Sequence, residues 1–153
     1  MSRLTPLIAA AALACVQCLP AAAHARDLAQ EERNRALVVA MYDGVFNQHQ
    51  VEQSAAVIAD EYRQHNPRVP NGKKAFVDHF TQFFKDNPQS HARIVRSVAN
   101  DDLVWLHIHS TNGDQDRGRA IVDIFRVRDG KIVEHWDVIQ MVPEKSANDN
   151  TMF

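Results

Sequence analysis

Two periodicities divide the chain. From Asp27 to Asn87 apolar residues recur at intervals of three and four, and from His91 to Val142 at every second position. The first spacing belongs to helices with one apolar face, the second to half-buried strands. In "DLAQEERNRALVVAMYDGVFNQH", Ala36, Val39, Ala40, Asp43 and Phe46 trace one stripe and Leu37, Met41 and Val45 an adjoining one, which predicts a first helix. Glu31 and Glu32 in its first turns suit the helix dipole. After a polar break at Asn47 to Gln50, "VEQSAAVIADEY" predicts a second, short helix. The prolines, asparagines and glycine of "RQHNPRVPNG" predict a loop. "KKAFVDHFTQFFKDN" predicts a third helix, with Phe76, Phe80, Phe83 and Phe84 at helical spacing and a stop at Asn87-Pro88.

"HARIVRSVAND", "DLVWLHIHST", "GRAIVDIFRVR" and "KIVEHWDVIQMV" predict four strands. Short links around Asn100 to Asp102, "NGDQDRG" and Asp129-Gly130 require successive strands to pair antiparallel, the last through a tight hairpin turn. Three helices followed by a meander is an α+β arrangement, with helices on one face of a curved antiparallel sheet. The strand "DLVWLHIH" looks largely buried on both sides, so its second face calls for a cover, most simply a second copy of the chain.

Composition removes the beginning of the chain from this picture. Arg3, the apolar run Leu7 to Leu19 and the small-x-small triplet Ala23-His24-Ala25 have the order of a secretory leader. That run is too short for a membrane span, which needs about 20 residues. The expected boundaries are a signal peptide over 1–25, one domain over 26–143 and a polar tail over 144–153, with export to a periplasm or the exterior. Both cysteines, Cys15 and Cys18, fall in the leader, which excludes thiol nucleophiles and thiolate metal sites from the domain. Removing 25 of the 153 residues leaves 128, enough for one real core. The leader holds one of the 17 basic residues and none of the 19 acidic ones, so the remainder carries a net charge of −3. Such mild acidity gives no electrostatic footprint for nucleic acid or an anionic membrane. No GxSxG, Walker-type or GxGxxG motif occurs.

The hairpin "DIFRVRDGKIVEHWDVIQ" is the part with chemistry in it. Ile121, Asp123, Phe125 and Val127 share one strand face, so Asp123 stands between apolar neighbours. A carboxylate so placed either faces a cavity, with its pKa raised as a general acid/base requires, or is paired with a neighbouring His or Arg for structure alone. His107 and His109, two apart on the preceding strand, point to one face. On the last strand Glu134, Trp136 and Val138 oppose His135, Asp137 and Ile139, and parity leaves open which set looks inward. Trp136 suits the wall of a pocket for a flat ligand, and Asp137 or His135 could join a site. Tyr62, His65 and Asn66 lie just before or in the loop ahead of the Phe-rich helix, with Asn66 extended before Pro67 and its amide free for a carbonyl.

The order of helices, "YRQHNP", the Phe-rich helix and the closing "DIFRVRDGKIVEHWDVIQ" resembles the SnoaL-like polyketide cyclases of the nuclear transport factor 2-like superfamily, over Glu31 to Val142. The resemblance implies a cone-shaped α+β fold with a hydrophobic pocket. It implies Asp123 as acid/base with His107 on the preceding strand as its partner, and the segment of Tyr62, His65 and Asn66 as cavity lining; His109, Phe125, Trp136 and Asp137 join these as candidate substrate-binding residues by their own positions. It implies work without cofactor or metal, although His107 and His109 with Asp123 or His135 would make an open-sided metal site by residue type. The function expected is a cofactor-independent cyclase, isomerase or hydratase acting on a small hydrophobic carbonyl compound. The alternative is an exported ligand-binding or dimeric scaffold domain without turnover. Export favours that alternative, because polyketides are tailored in the cytoplasm.

Overall fold

The computed structural model describes residues 25–153. The expected leader, with both cysteines, therefore lies outside the described residues except for Ala25. Among the described residues no helix is long and apolar enough to cross a membrane.

Helix α1 (Leu28–Phe46) starts where the Asp27 side chain accepts the Gln30 N–H at 2.9 Å, an N-cap that satisfies one of the free helical donors. Its buried stripe is Val38, Met41, Tyr42 and Val45, while Ala36 and Ala40 are exposed. The larger side chains take the core face because they remove more apolar area from water. Asn47 ends the helix and ties it to the sheet: its amide accepts from the Ala92 N–H at 2.8 Å and donates to the Ala92 carbonyl at 3.1 Å.

The helix expected over "VEQSAAVIADEY" is a single turn, α2 (Val51–Ser54), followed by a 3-10 turn at Ala55–Val57. The remainder runs as strand β1 (Ile58–Gln64). Its two buried residues, Ile58 and Tyr62, are four apart, a spacing that fits a helix face and a strand face equally. The open edge of the sheet decides between them by supplying backbone partners.

Helix α3 (Lys73–Asp86) follows, then β2 (Ser90–Asn100), β3 (Leu103–Asn112), β4 (Arg119–Arg128) and β5 (Lys131–Met141). The sheet order is β1-β5-β4-β3-β2. Strands β2 to β5 form the expected antiparallel meander, and β1 adds a parallel edge to β5, so the sheet is mixed. Asp129 and Gly130 close the β4–β5 hairpin with φ of 50° and 70°, the left-handed pair that a two-residue turn needs. The expected class stands: three helices on a curved sheet, with a cone-like interior. Val104, Leu106, Ile108, Phe125, Val127 and Ile132 of the sheet's inner face pack against the α1 stripe and Phe76 and Phe84 of α3.

The outer face is less covered. Val98, Trp105, Val122 and Val138, from four neighbouring strands, are 57%, 40%, 38% and 71% exposed. The tail over 144–150 forms no helix or strand, but the terminal Phe153 ring stacks on His109 at 4.1 Å between centroids.

Candidate active site

Alternation along β4 turns Ile121, Asp123, Phe125 and Val127 inward, and Asp123 is buried at 4% exposure. Strand β5 settles the parity left open by the sequence. Asp137 stands directly across from Asp123, and His135 across from Phe125, so His135, Asp137 and Ile139 look into the cone. His135 is buried, and its Nε2 lies 3.2 Å from Asp123 Oδ1.

The surrounding hydrogen bonds orient the imidazole of this pair. Gln64, at the end of β1, places Oε1 2.8 Å from His135 Nδ1. The same Oε1 accepts the Asn66 backbone N–H at 2.9 Å, and since a backbone N–H only donates, that atom is the carbonyl oxygen. His135 Nδ1 therefore carries a hydrogen and donates it to Gln64. Nε2 and Oδ1 then face each other as two acceptors unless one more proton lies between them, held either by a neutral Asp123 or by a positive His135. The pair is placed to share a proton.

A similar chain orients the second carboxylate. Asn66 Oδ1 accepts the Arg68 N–H at 2.8 Å, which turns its Nδ2 to donate to Asp137. Two phenols complete the polar interior. Burial raises the pKa of Tyr42 well above that of a free phenol, with the adjoining Asp123 charge adding to it. Tyr62 is raised by burial first and then by Asp123 and Asp137. Both rings remain protonated donors at neutral pH.

These groups open onto a cavity of about 250 Å³ whose wall includes the rings of Phe46, Phe76, Phe80, Phe83 and Phe125 and the aliphatic Val69, Ile121 and Ile139. Arg68, His79 and Arg119 also line it. A wider groove, about 740 Å³, lies between the start of α1 and the β4–β5 turn. It is more open to solvent, and its buried carboxylate, Glu31, is engaged by Arg26 and the Asp101 N–H. The smaller cavity holds the converging polar groups and is the better candidate.

Of the residues singled out from sequence, Tyr62, Asn66, Asp123, Phe125, His135 and Asp137 meet in this cavity, and His65, His107, His109 and Trp136 do not. Cross-strand pairing sets Leu106 opposite Asp123 and His107 opposite Val122, so His107 and His109 project from the outer face. There His107 Nδ1 contacts Arg96 at 2.8 Å, and His109 Nε2 contacts the Arg117 carbonyl at 2.9 Å. His107 is thus not the partner of Asp123; the imidazole comes from the following strand. His65 and Trp136 stack on one another at 4.7 Å outside the cavity, with His65 against Glu134 and Arg126 over the indole. The metal set built on His107 and His109 is not assembled. The group whose ligand atoms converge, within 4.8 Å of one another, is Asp123, His135 and Asp137. Tyr42 also lines the cavity, and its place beside Met41 in the apolar pattern of α1 is the sequence signal that turns it inward.

The fold and site define an α+β cone enclosing a carboxylate–imidazole pair. The SnoaL-like domain model matches residues 38–135, and the chain belongs to that family. Its fold is similar to an uncharacterized cystatin fold protein from Novosphingobium aromaticivorans (TM-score 0.61, 21% identity, 69% of this chain and 97% of that one). It is also similar to a putative ketosteroid isomerase from Kribbella flavida (0.58, 21%, 78% and 86%). A SnoaL-like protein of unknown function from Burkholderia thailandensis matches too (0.62, 15%, 72% and 96%). No curated protein sequence matches the chain.

Proposed function

We propose that the protein is a cofactor-independent acid–base enzyme for a small hydrophobic carbonyl compound, of the aldol-cyclase, isomerase or hydratase type. The observation that carries this reading is the contact of Asp123 with His135, close enough to share a proton, in the wall of a cavity lined largely by aromatic and aliphatic side chains. With that proton on His135, the Asp123 carboxylate takes a proton from the carbon next to the carbonyl, and the electron pair moves to the carbonyl oxygen. A phenol of Tyr42 or Tyr62 donates to the oxygen as it becomes negative. Asp123 then returns the proton at carbon or oxygen, which leaves the enzyme unchanged. Membership of the SnoaL-like family supports the reading, as does the fold shared with a protein described as a putative ketosteroid isomerase.

The test is deuterium exchange into a panel of small alicyclic and aromatic ketones, followed by NMR. Asp123→Asn should abolish exchange and leave the melting temperature nearly unchanged. Exchange retained in that variant removes the assignment and leaves a ligand-binding domain. The proposal extends to an exported chain that has lost its first 25 residues, and to a homodimer that covers Val98, Trp105, Val122 and Val138.

A further inference from the structure

The cavity carries a positive group that the acid–base pair does not use. The alternation that turns Asp123 inward also turns Arg119 to the same face of β4, four residues earlier, or about 13 Å along a strand. Arg119 is half-buried and lines the cavity. None of the ion pairs among the described residues includes it. The carboxylates of its own loop and of the cavity are already engaged. Asp116 accepts the Gly118 and Asn112 N–H groups at 2.9 and 2.8 Å, one on each oxygen. Asp123 is held by His135 and Asp137 by Asn66. Arg68 and His79 line the same cavity, and neither takes part in an ion pair among the described residues.

A half-buried guanidinium with no ion-pair partner leaves its donors free for an anion in the cavity. Its planar fork of N–H donors matches a carboxylate two bonds at a time. We infer that Arg119 anchors a carboxylate on the bound molecule, so that the substrate class is a small amphipathic oxo acid. The ionised end sits at Arg119, the apolar body lies along the phenylalanines, and the carbonyl-bearing carbon reaches Asp123 and His135. This placement of the carbonyl rests on the proposed acid–base function, whereas the preference for an anion stands on Arg119 alone.

Octanoate and methyl octanoate separate charge from apolar length, and calorimetric titration of the full chain with each tests the inference. The wild type should bind octanoate about tenfold or more tighter than the ester. Arg119→Gln should remove that preference and leave ester binding unchanged, which also reports an intact cavity. Arg119→Lys should restore part of it. Equal affinity for the two probes, octanoate binding unaffected by Arg119→Gln, or no binding of either probe at millimolar concentration would each overturn the inference. Asp123→Asn distinguishes the two proposals: it should keep the octanoate preference while losing ketone exchange. If exchange survives and the preference remains, the acid–base reading fails and the anion site stands.

Discussion

Gln64 and His135 are 71 positions apart in the chain and 2.8 Å apart in the fold, and the contact orients the imidazole of the site. Strand β1 brings Gln64 alongside His135 as its parallel partner on β5. Because the Gln64 oxygen also accepts the Asn66 N–H, the imidazole is held with Nδ1 protonated and Nε2 turned to Asp123. Gln64→Leu should therefore free the ring and leave Nδ1 without its acceptor, at a stability loss of roughly 1–3 kcal/mol. Gln64 is a positioning residue, so the decisive readout is nitrogen NMR of His135. The Nδ1–H signal of the wild type should give way to a tautomer mixture, and ketone exchange should fall with it. An unchanged His135 spectrum would rule this role out.

His135 and His107 give opposite expectations. His135→Ala should reduce ketone exchange by about a hundredfold or more, the usual range for a lost acid–base partner. His107→Ala, on the far side of the sheet, should leave it within about twofold. Comparable losses in both variants would mean that the β3 register described here is wrong.

The chain has two tyrosines, Tyr42 and Tyr62, and both are buried in the cavity wall. Burial raises both pKa values, so the folded chain keeps these protons above about pH 10, where the unfolded chain releases them. Their linked stabilisation is complete below that pH and is lost as pH rises toward the folded-state values. Absorbance titration should accordingly show no tyrosinate until the protein unfolds. A phenol that ionises near pH 10 with the fold intact would contradict the burial. Tyr42→Phe keeps the ring and should lower ketone exchange by about a hundredfold if its hydroxyl meets the developing negative charge.

The outer sheet face supplies the fourth expectation. With Trp105 40% and Val138 71% exposed in the single chain, a second copy covering them would bury enough apolar area for charge insertion to be felt. Trp105→Glu should convert a dimer into monomers with an unchanged far-ultraviolet spectrum, as measured by sedimentation equilibrium. A wild type that sediments as a monomer at high concentration removes the dimer from the proposal.

Much of this was legible in the chain because it depends on neighbours in sequence. The Asp129-Gly130 pair dictates a tight turn by its tolerance of positive φ, and strict alternation from Ile121 to Val127 commits Asp123 to the face of Phe125 whatever else surrounds the strand. The phenylalanine spacing of α3 and the change from a helical to a strand period determine the α+β class in the same local way. What tertiary structure alone decided is how these pieces register against one another. Across the loop between β3 and β4, a shift of one residue would exchange Leu106 for His107 opposite Asp123, and nothing in either strand's own pattern forbids it. β1 is the other case: Ile58 and Tyr62 suit a helix and a strand alike, and the unpaired edge of β5, more than 60 residues later, chose the strand. That choice brings Gln64 to His135. Side-chain direction within a strand is a property of a few consecutive residues, whereas the identity of the imidazole beside the acid depends on backbone hydrogen bonds between distant segments, which form only once the core has packed.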